Sequence, residues 1–94
     1  MYTYPNPFRP HKGESAKIHY ELPEDSDISL KIYDLLGQGV LNLSFSAGSL
    51  GGRSGVNEVK WDGRNSQGEI VLQGMYVAVL KGNLCKSRVR IGVR

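Results

Sequence analysis

The chain has 94 residues, of which 39% are hydrophobic, and its 12 lysines and arginines against nine aspartates and glutamates give a formal charge of +3. This length suits one domain with a compact core but leaves no room for a deep catalytic cleft beside it. The lone cysteine, Cys85, excludes a disulfide within the chain, and no apolar run approaches the ~20 residues that cross a membrane.

The chain opens with YPNPFRP, a stretch that holds three of its four prolines. Proline fixes φ and lacks an N–H, and each residue before a proline is pushed towards extended conformations, so a helix or a central strand is excluded here. We expect residues 1–12 to be a stiff strap along a sheet edge, pinned by Phe8. Residues 13–94 are expected to form the sandwich itself, within one domain overall.

Beyond this opening, apolar and polar residues alternate along most of the chain, and no window supports a long amphipathic helix. The alternation predicts strands in AKIHYEL, DISLKIYDL, VLNLSFS, VNEVKW, IVLQGMYVAVL and LCKSRVRIGV. Within the fifth of these segments, Gly74 is expected to mark a bulge or a close approach of another backbone. Trp61 shares a face with Val59 and is predicted to lie in the core.

Glycine, proline and short polar residues mark turns in PEDSD, LGQG, DGRNSQGE and KGN. Residues 47–55, AGSLGGRSG, include four glycines and predict a mobile loop. Six or seven short strands without helices are typical of an antiparallel sandwich of the immunoglobulin-like type. Because the Cys…Trp…Cys spacing of antibody domains is absent, Trp61 must pack without a disulfide beneath it.

Catalytic chemistry has no recognisable motif in this sequence. His11 lies in the proline-rich segment and His19 on the outer face of a strand, and neither has a nucleophile or a carboxylate at a motif spacing. Nucleophile elbows, phosphate loops and metal quartets are absent as well. We therefore predict a protein that is not an enzyme and needs no cofactor.

Two acidic stretches, PEDSD and DGRNSQGE, offer the oxygen ligands that calcium prefers. The first has no glycine bend and the second lacks alternating acids, so turns capped by Asp and Asn side chains explain both without an ion. PFRP matches the PxxP pattern of polyproline ligands, although Phe8 should fold this segment down. Exposed aromatics on a flat sandwich face would suit a glycan, and Tyr2, Tyr4 and Tyr33 are the candidates for such a face.

Basic residues concentrate in the last segment, KSRVRIGVR. Lys86, Arg88 and Arg90 alternate with Val89 and Ile91, which is the pattern of a strand with one wet face. A nucleic-acid-binding protein would instead show a concentrated basic face with stacking aromatics, so we predict no nucleic-acid partner. We expect this strand to be the unprotected sheet edge, where a protein partner or an identical subunit adds a strand and brings acids to the three cations.

Four stretches, in this order, resemble the Ig-like domain of flagellar hook-capping proteins: YPNPFRP, KIYDLLGQGV, VKWDGRNSQG and GMYVAVL. That FlgD-like module recurs at the C-termini of many bacterial secreted and surface proteins, and is similar to the sorting domains of type IX secretion cargo. The resemblance implies a non-catalytic β-sandwich of about seven strands. Its fold-determining positions carry over to Asn6, Pro7, Phe8, Tyr33, Asp34, Gly37, Trp61, Asp62, Gly63, Gly74 and Tyr76.

The resemblance also implies a function, namely to anchor, space, sort or assemble a longer extracellular or cell-surface protein. A sorting signal, a hook-cap scaffold and a filament subunit are the three alternatives. The expected partners are the parent protein's other domains, the secretion machinery or identical subunits, without insertion into a membrane. Nothing after Met1 resembles a signal peptide, so an exported domain would take its signal from elsewhere in a longer protein.

Overall fold

The computed structural model describes residues 1–83 and 85–94 and confirms the predicted all-β sandwich. Its strands are β1 (Tyr2–Tyr4), β2 (Ala16–Leu22), β3 (Ile28–Asp34), β4 (Gly39–Phe45), β5 (Gly55–Trp61), β6 (Gly74–Lys81) and β7 (Lys86–Val93), with a short 3-10 helix at Pro10–Lys12. Strands β1, β2 and β5 form a three-stranded antiparallel sheet, in the order β1-β2-β5. The order β4-β3-β6-β7 makes the second sheet. In the described residues, no helix has the length and apolarity to cross a membrane.

The core lies between the two sheets and is built from the alternate positions of their strands. Its buried hydrophobic residues are Phe8, Ala16, Ile18, Tyr20, Leu22, Ile28, Leu30, Ile32, Trp61, Tyr76, Ala78, Leu80, Ile91 and Val93. Trp61 is 1% exposed, which confirms its predicted place in the core. Its ring meets Phe8 edge-on at 5.5 Å between centroids and Tyr76 at 5.7 Å. Such pairs contribute about 0.5–1.5 kcal/mol each beyond the area they bury.

The opening segment touches both sheets. Thr3 of β1 pairs with Ile18 of β2 in the three-stranded sheet. The chain then crosses to the other sheet, where Phe8 forms a parallel bridge with Val93 of β7. Phe8 itself is fully buried, so it pins the segment at the point where the two sheets meet.

The most apolar segment contains a shorter strand than its composition predicts. β6 begins at Gly74, where a Cβ would meet no described atom within 4 Å, so the expectation of a bulge or a close backbone approach at this glycine is wrong. A register shift occurs instead between Ile32 and Tyr33, where β3 pairs with β4. Before β6, the hydroxyl of Tyr76 donates to the Leu72 carbonyl at 2.6 Å, the tyrosine-corner contact of immunoglobulin-like domains. Leu72 lies outside the strands, and its carbonyl accepts this side-chain hydrogen bond.

The last strand of the structure begins later than the sequence pattern predicts. The sequence pattern begins it at Leu84, which lies outside the described residues. β7 runs from Lys86 to Val93.

The glycine-rich loop predicted at residues 47–55 makes hydrogen bonds to the sandwich, and its last residue, Gly55, begins β5. Tyr20 donates its hydroxyl to the Gly51 carbonyl at 2.6 Å, and the Gly51 amide donates to the Asn57 side chain at 3.1 Å. Gly51 lies so close to Phe45 that an added Cβ would come within 2.5 Å of the ring. The glycine that suggested mobility therefore permits close packing, with a positive φ of 92°.

Alkaline pH is expected to destabilise the domain through Tyr20. Burial, with a smaller effect from a negative charge on Cys85, raises the pKa of Tyr20 to about 12. An unfolded tyrosine ionises near pH 10, so the folded state holds the phenol proton more tightly. The stability from this difference is fully present below about pH 10 and is lost as the pH rises through about 12. Urea unfolding at intervals from about pH 8 to 12 measures the loss.

The Tyr20→Phe variant is the control for this prediction. It should be less stable near neutral pH, by about 1 kcal/mol for the lost hydrogen bond, but its stability should fall less between about pH 10 and 12. A Tyr20→Phe domain that loses stability as steeply as the parent would show that Tyr20 is not the responsible group.

Candidate partner-binding edge

The Tyr33-Asp34-x-x-Gly37 motif forms the turn that ends β3. One carboxylate oxygen of Asp34 accepts the amide N–H groups of Leu36 and Gln38, both at 2.9 Å. Gly37 has a φ of 82° and donates its amide to the Asp34 carbonyl at 3.1 Å. The polar groups of this motif are therefore used to hold the backbone in the turn.

The Trp61-Asp62-Gly63 motif forms the corner after β5. Asp62 accepts the Arg64 amide at 3.1 Å, and the Trp61 indole donates to the Arg64 carbonyl at 2.9 Å. Gly63 packs against Pro10, where an added Cβ would come within 2.7 Å of the proline ring. This corner therefore seats the end of the opening segment.

Four of the side chains considered for calcium, those of Asp25, Asp27, Asp62 and Asn65, accept backbone amides in the same way. Asn65 accepts two backbone amides at 3.0 Å, while Asp25 and Asp27 accept the amides of Ser54 and Ala47. These contacts are the capped turns that the sequence suggests. Across residues 1–83 and 85–94, no group of three or more His, Cys, Asp or Glu is placed to hold a metal ion.

The aromatic residues of the three-stranded sheet do not present a flat platform. Tyr2 stacks on His19 with ring centroids 4.6 Å apart, and on Tyr4 at 5.9 Å. The rings therefore stack on one another rather than lying side by side as a flat surface, although Tyr2 and Tyr4 remain 53% and 40% exposed. Tyr4 also hydrogen bonds Glu58 at 3.2 Å, so this row belongs to the pairing of β1 with the sheet.

Asn6 and Phe8 close the second half of the β7 edge. The Asn6 side chain donates to the Arg90 carbonyl at 2.9 Å and accepts the Gly92 amide at 2.8 Å. Phe8 donates its amide to the Gly92 carbonyl and accepts the Arg94 amide, both at 2.9 Å. Together these four hydrogen bonds replace a neighbouring strand along Arg90–Arg94. The proline-rich opening thus protects part of the edge that the sequence suggests is unprotected.

The first half of the same edge remains open. The β7 groups that meet the opening segment belong to Arg90, Gly92 and Arg94. Strand alternation therefore points the main-chain groups of Lys86 and Arg88 outward too, away from β6. Among the hydrogen bonds of the described residues, these groups have no partner beyond β7. The side chains of Lys86, Arg88 and Arg90 are all exposed.

Two solved structures are similar to this domain. PorZ of Porphyromonas gingivalis, an essential bacterial surface component of the type IX secretion system, matches with a TM-score of 0.67 and 27% identity over 99% of this chain. FlgD from P. aeruginosa matches with a TM-score of 0.64 and 21% identity over 84% of this chain. The fold is that of a FlgD-like Ig-like domain. The resemblance drawn from four sequence stretches is confirmed at this level.

The matched region is a part of each of these proteins, 11% of the PorZ chain and 59% of the FlgD chain. No family model matches this sequence, and no curated protein does.

Replacing Asn6 with alanine is expected to open the closed half of the β7 edge. The variant loses both side-chain hydrogen bonds to β7, so the Gly92 amide should exchange with solvent deuterium faster than in the parent. Arg94, which donates to Phe8, should change less. Hydrogen exchange followed by NMR measures both amides.

Asn65→Ala is the matched control, because it also removes an asparagine that binds backbone but at a distant turn. It should leave Gly92 as protected as in the parent. Equal protection of Gly92 in Asn6→Ala would mean that the Asn6 side chain does not close this edge.

Proposed function

We propose that this chain is a non-catalytic Ig-like module of a longer bacterial surface or secreted protein, and that it anchors, spaces, sorts or assembles that protein through its sheet edges. The similarity to PorZ supports a modular role, since it spans 99% of this chain but 11% of PorZ. The turn motifs support a non-catalytic role, because the side chains of Asp34, Asp62 and Asn65 accept backbone amides of their own turns.

The half-open β7 edge is the observation that carries this proposal. Sheet edges with unpaired main-chain groups are normally protected, because they pair with other chains. Here Asn6 and Phe8 protect one half, and the half at Lys86 and Arg88 is left available. An extended segment of a partner would pair with these main-chain groups and add a fifth strand to the sheet.

Sorting by a type IX secretion system is the role we favour among the alternatives. PorZ is a component of that system, and its match covers more of this chain, at higher identity, than the match to FlgD. A scaffold role, as a FlgD-like fold suggests, and a filament subunit are the other candidates. A filament subunit would self-associate as the isolated domain, whereas a sorting signal has no need to.

A secretion assay tests the sorting role. A fluorescent protein with an N-terminal export signal and this chain at its C-terminus is expected to reach the surface or medium of a bacterium that has a type IX system. The same reporter without the chain should stay in the periplasm.

Two further measurements separate the alternatives. In a strain whose type IX system is deleted, the full fusion should also stay in the periplasm. A fusion retained in the periplasm of the competent strain would rule out sorting. An apparent mass of the isolated domain that increases with protein concentration in analytical ultracentrifugation would then favour the filament subunit.

A further inference from the structure

The outer face of the four-stranded sheet carries a concentration of positive charge that the overall composition hides. Five exposed cations, Lys31, Lys81, Lys86, Arg88 and Arg90, point outward from β3, β6 and β7, and we call this surface the basic face. The chain as a whole has a formal charge of only +3. Among the described residues, the outward positions of this sheet include no aspartate or glutamate.

Strand register brings these cations together rather than spacing them apart. Lys81 of β6 lies directly opposite Lys86 of β7, and Arg88 lies opposite Val79, which in turn lies opposite Lys31. Like charges directly opposite one another destabilise a sheet. The nearest acid along these strands is Asp34, whose carboxylate is bound to the turn amides of Leu36 and Gln38. The five cations of the basic face therefore outnumber the one carboxylate that β3, β6 and β7 carry.

The other sheet shows that this arrangement is not a general property of the sandwich. On the outer face of the three-stranded sheet, Lys17 also lies opposite Lys60, but Glu21 and Glu58 lie on the same face and balance the two positive charges. His19 lies opposite Glu58 on that face. Opposite charges are interspersed there, as on an ordinary solvated surface.

Apolar side chains lie between the cations. Val77, Val79 and Tyr33 are half-buried on the basic face, and Val77 pairs with both Tyr33 and Arg90 across the sheet. At one end, Leu35 is 68% exposed beside Val77. An apolar centre within a charged rim is the anatomy of a protein–protein interface, in which tyrosine and arginine are enriched. A polyanion would bind the cations but would gain nothing from the apolar side chains of Val77 and Val79 between them.

We propose that the basic face binds an acidic surface of a protein partner. Carboxylates of the partner pair with Lys31, Arg88 and the cations around them, and an apolar side chain packs on Val77 and Val79. Arginine forms bidentate hydrogen bonds with carboxylates, which fixes the orientation of the partner. This surface is distinct from strand addition at β7, because it uses side chains and extends to Lys31, which lies two strands or about 10 Å from that edge.

Charge reversal on one face, compared with the same reversal on the other, tests the proposal. The Lys31→Glu/Arg88→Glu variant changes the basic face, and Lys17→Glu/Lys60→Glu makes an equal change of charge on the three-stranded sheet. The probe is a synthetic peptide of about 15 glutamate and valine residues, titrated into the isotope-labelled domain and followed by NMR. Circular dichroism checks that both variants keep the parent fold, and Lys31→Gln/Arg88→Gln is used if the reversed variant unfolds.

We expect the peptide to shift the amides of Lys31, Val77, Val79 and Arg88, and to bind at least tenfold more weakly to the basic-face variant than to the control variant. Added salt should weaken binding to the parent. An equal loss in both variants would overturn the proposal, because net charge alone would explain it. Tighter binding of heparin or of phosphatidylglycerol vesicles to the same residues would also overturn it, in favour of a polyanion or a lipid.

The single variant Lys31→Glu separates this proposal from the proposed function. If it binds the peptide as the parent does, the acidic partner contacts only the β7 edge, and the basic-face proposal fails while strand addition stands. If it weakens binding, the face is used beyond the edge.

Discussion

Phe8, Trp61 and Tyr76 come from three separated parts of the chain and meet ring edge to ring face in the core. Phe8 belongs to the opening segment, Trp61 ends β5, and Tyr76 lies near the start of β6. Burial of Phe8 between the sheets places the residues on either side of it along β7. The hydrogen bonds of Asn6 to Arg90 and Gly92 depend on this position, and so does the division of the β7 edge into a closed and an open half.

The closeness of the opening segment to β7 is possible because of a glycine. A Cβ at Gly92 would lie 2.9 Å from the Cβ of Pro7, so any larger residue would push the segment away. With glycine in this place, the Asn6 side chain reaches two main-chain groups of β7 and makes the hydrogen bonds that a neighbouring strand would make. The chain bends at residues 5–7, where the Tyr4-Pro5 and Asn6-Pro7 peptide bonds are cis, and the two prolines add no competing N–H donors.

Much of the fold follows from local sequence. Alternation in AKIHYEL and DISLKIYDL predicts β2 and β3 and their inward residues, because one buried face dictates every second side chain. The pairing of β1 could not be predicted in this way, since Tyr2–Tyr4 is too short to carry a pattern. Asn6 binds Arg90 and Gly92, which lie 84 and 86 positions later in the chain, and no rule of sequence spacing anticipates such a contact. The basic face could not be predicted from the sequence for the same reason. Lys31 and Arg88 come close together only because β6 lies between β3 and β7.

The fold is shared with PorZ and FlgD, and a shared fold does not by itself determine function. The basic face rests on the register of β3, β6 and β7, whereas the division of the β7 edge rests on the position that Phe8 gives to the opening segment. Chemical unfolding of the Phe8→Ala variant tests this most directly, with Leu36→Ala as the control because Leu36 is 85% exposed. Phe8→Ala is expected to lose about 3–5 kcal/mol of unfolding free energy, as large core truncations do, and Leu36→Ala almost none. A Phe8→Ala domain as stable as the Leu36→Ala control would contradict this expectation.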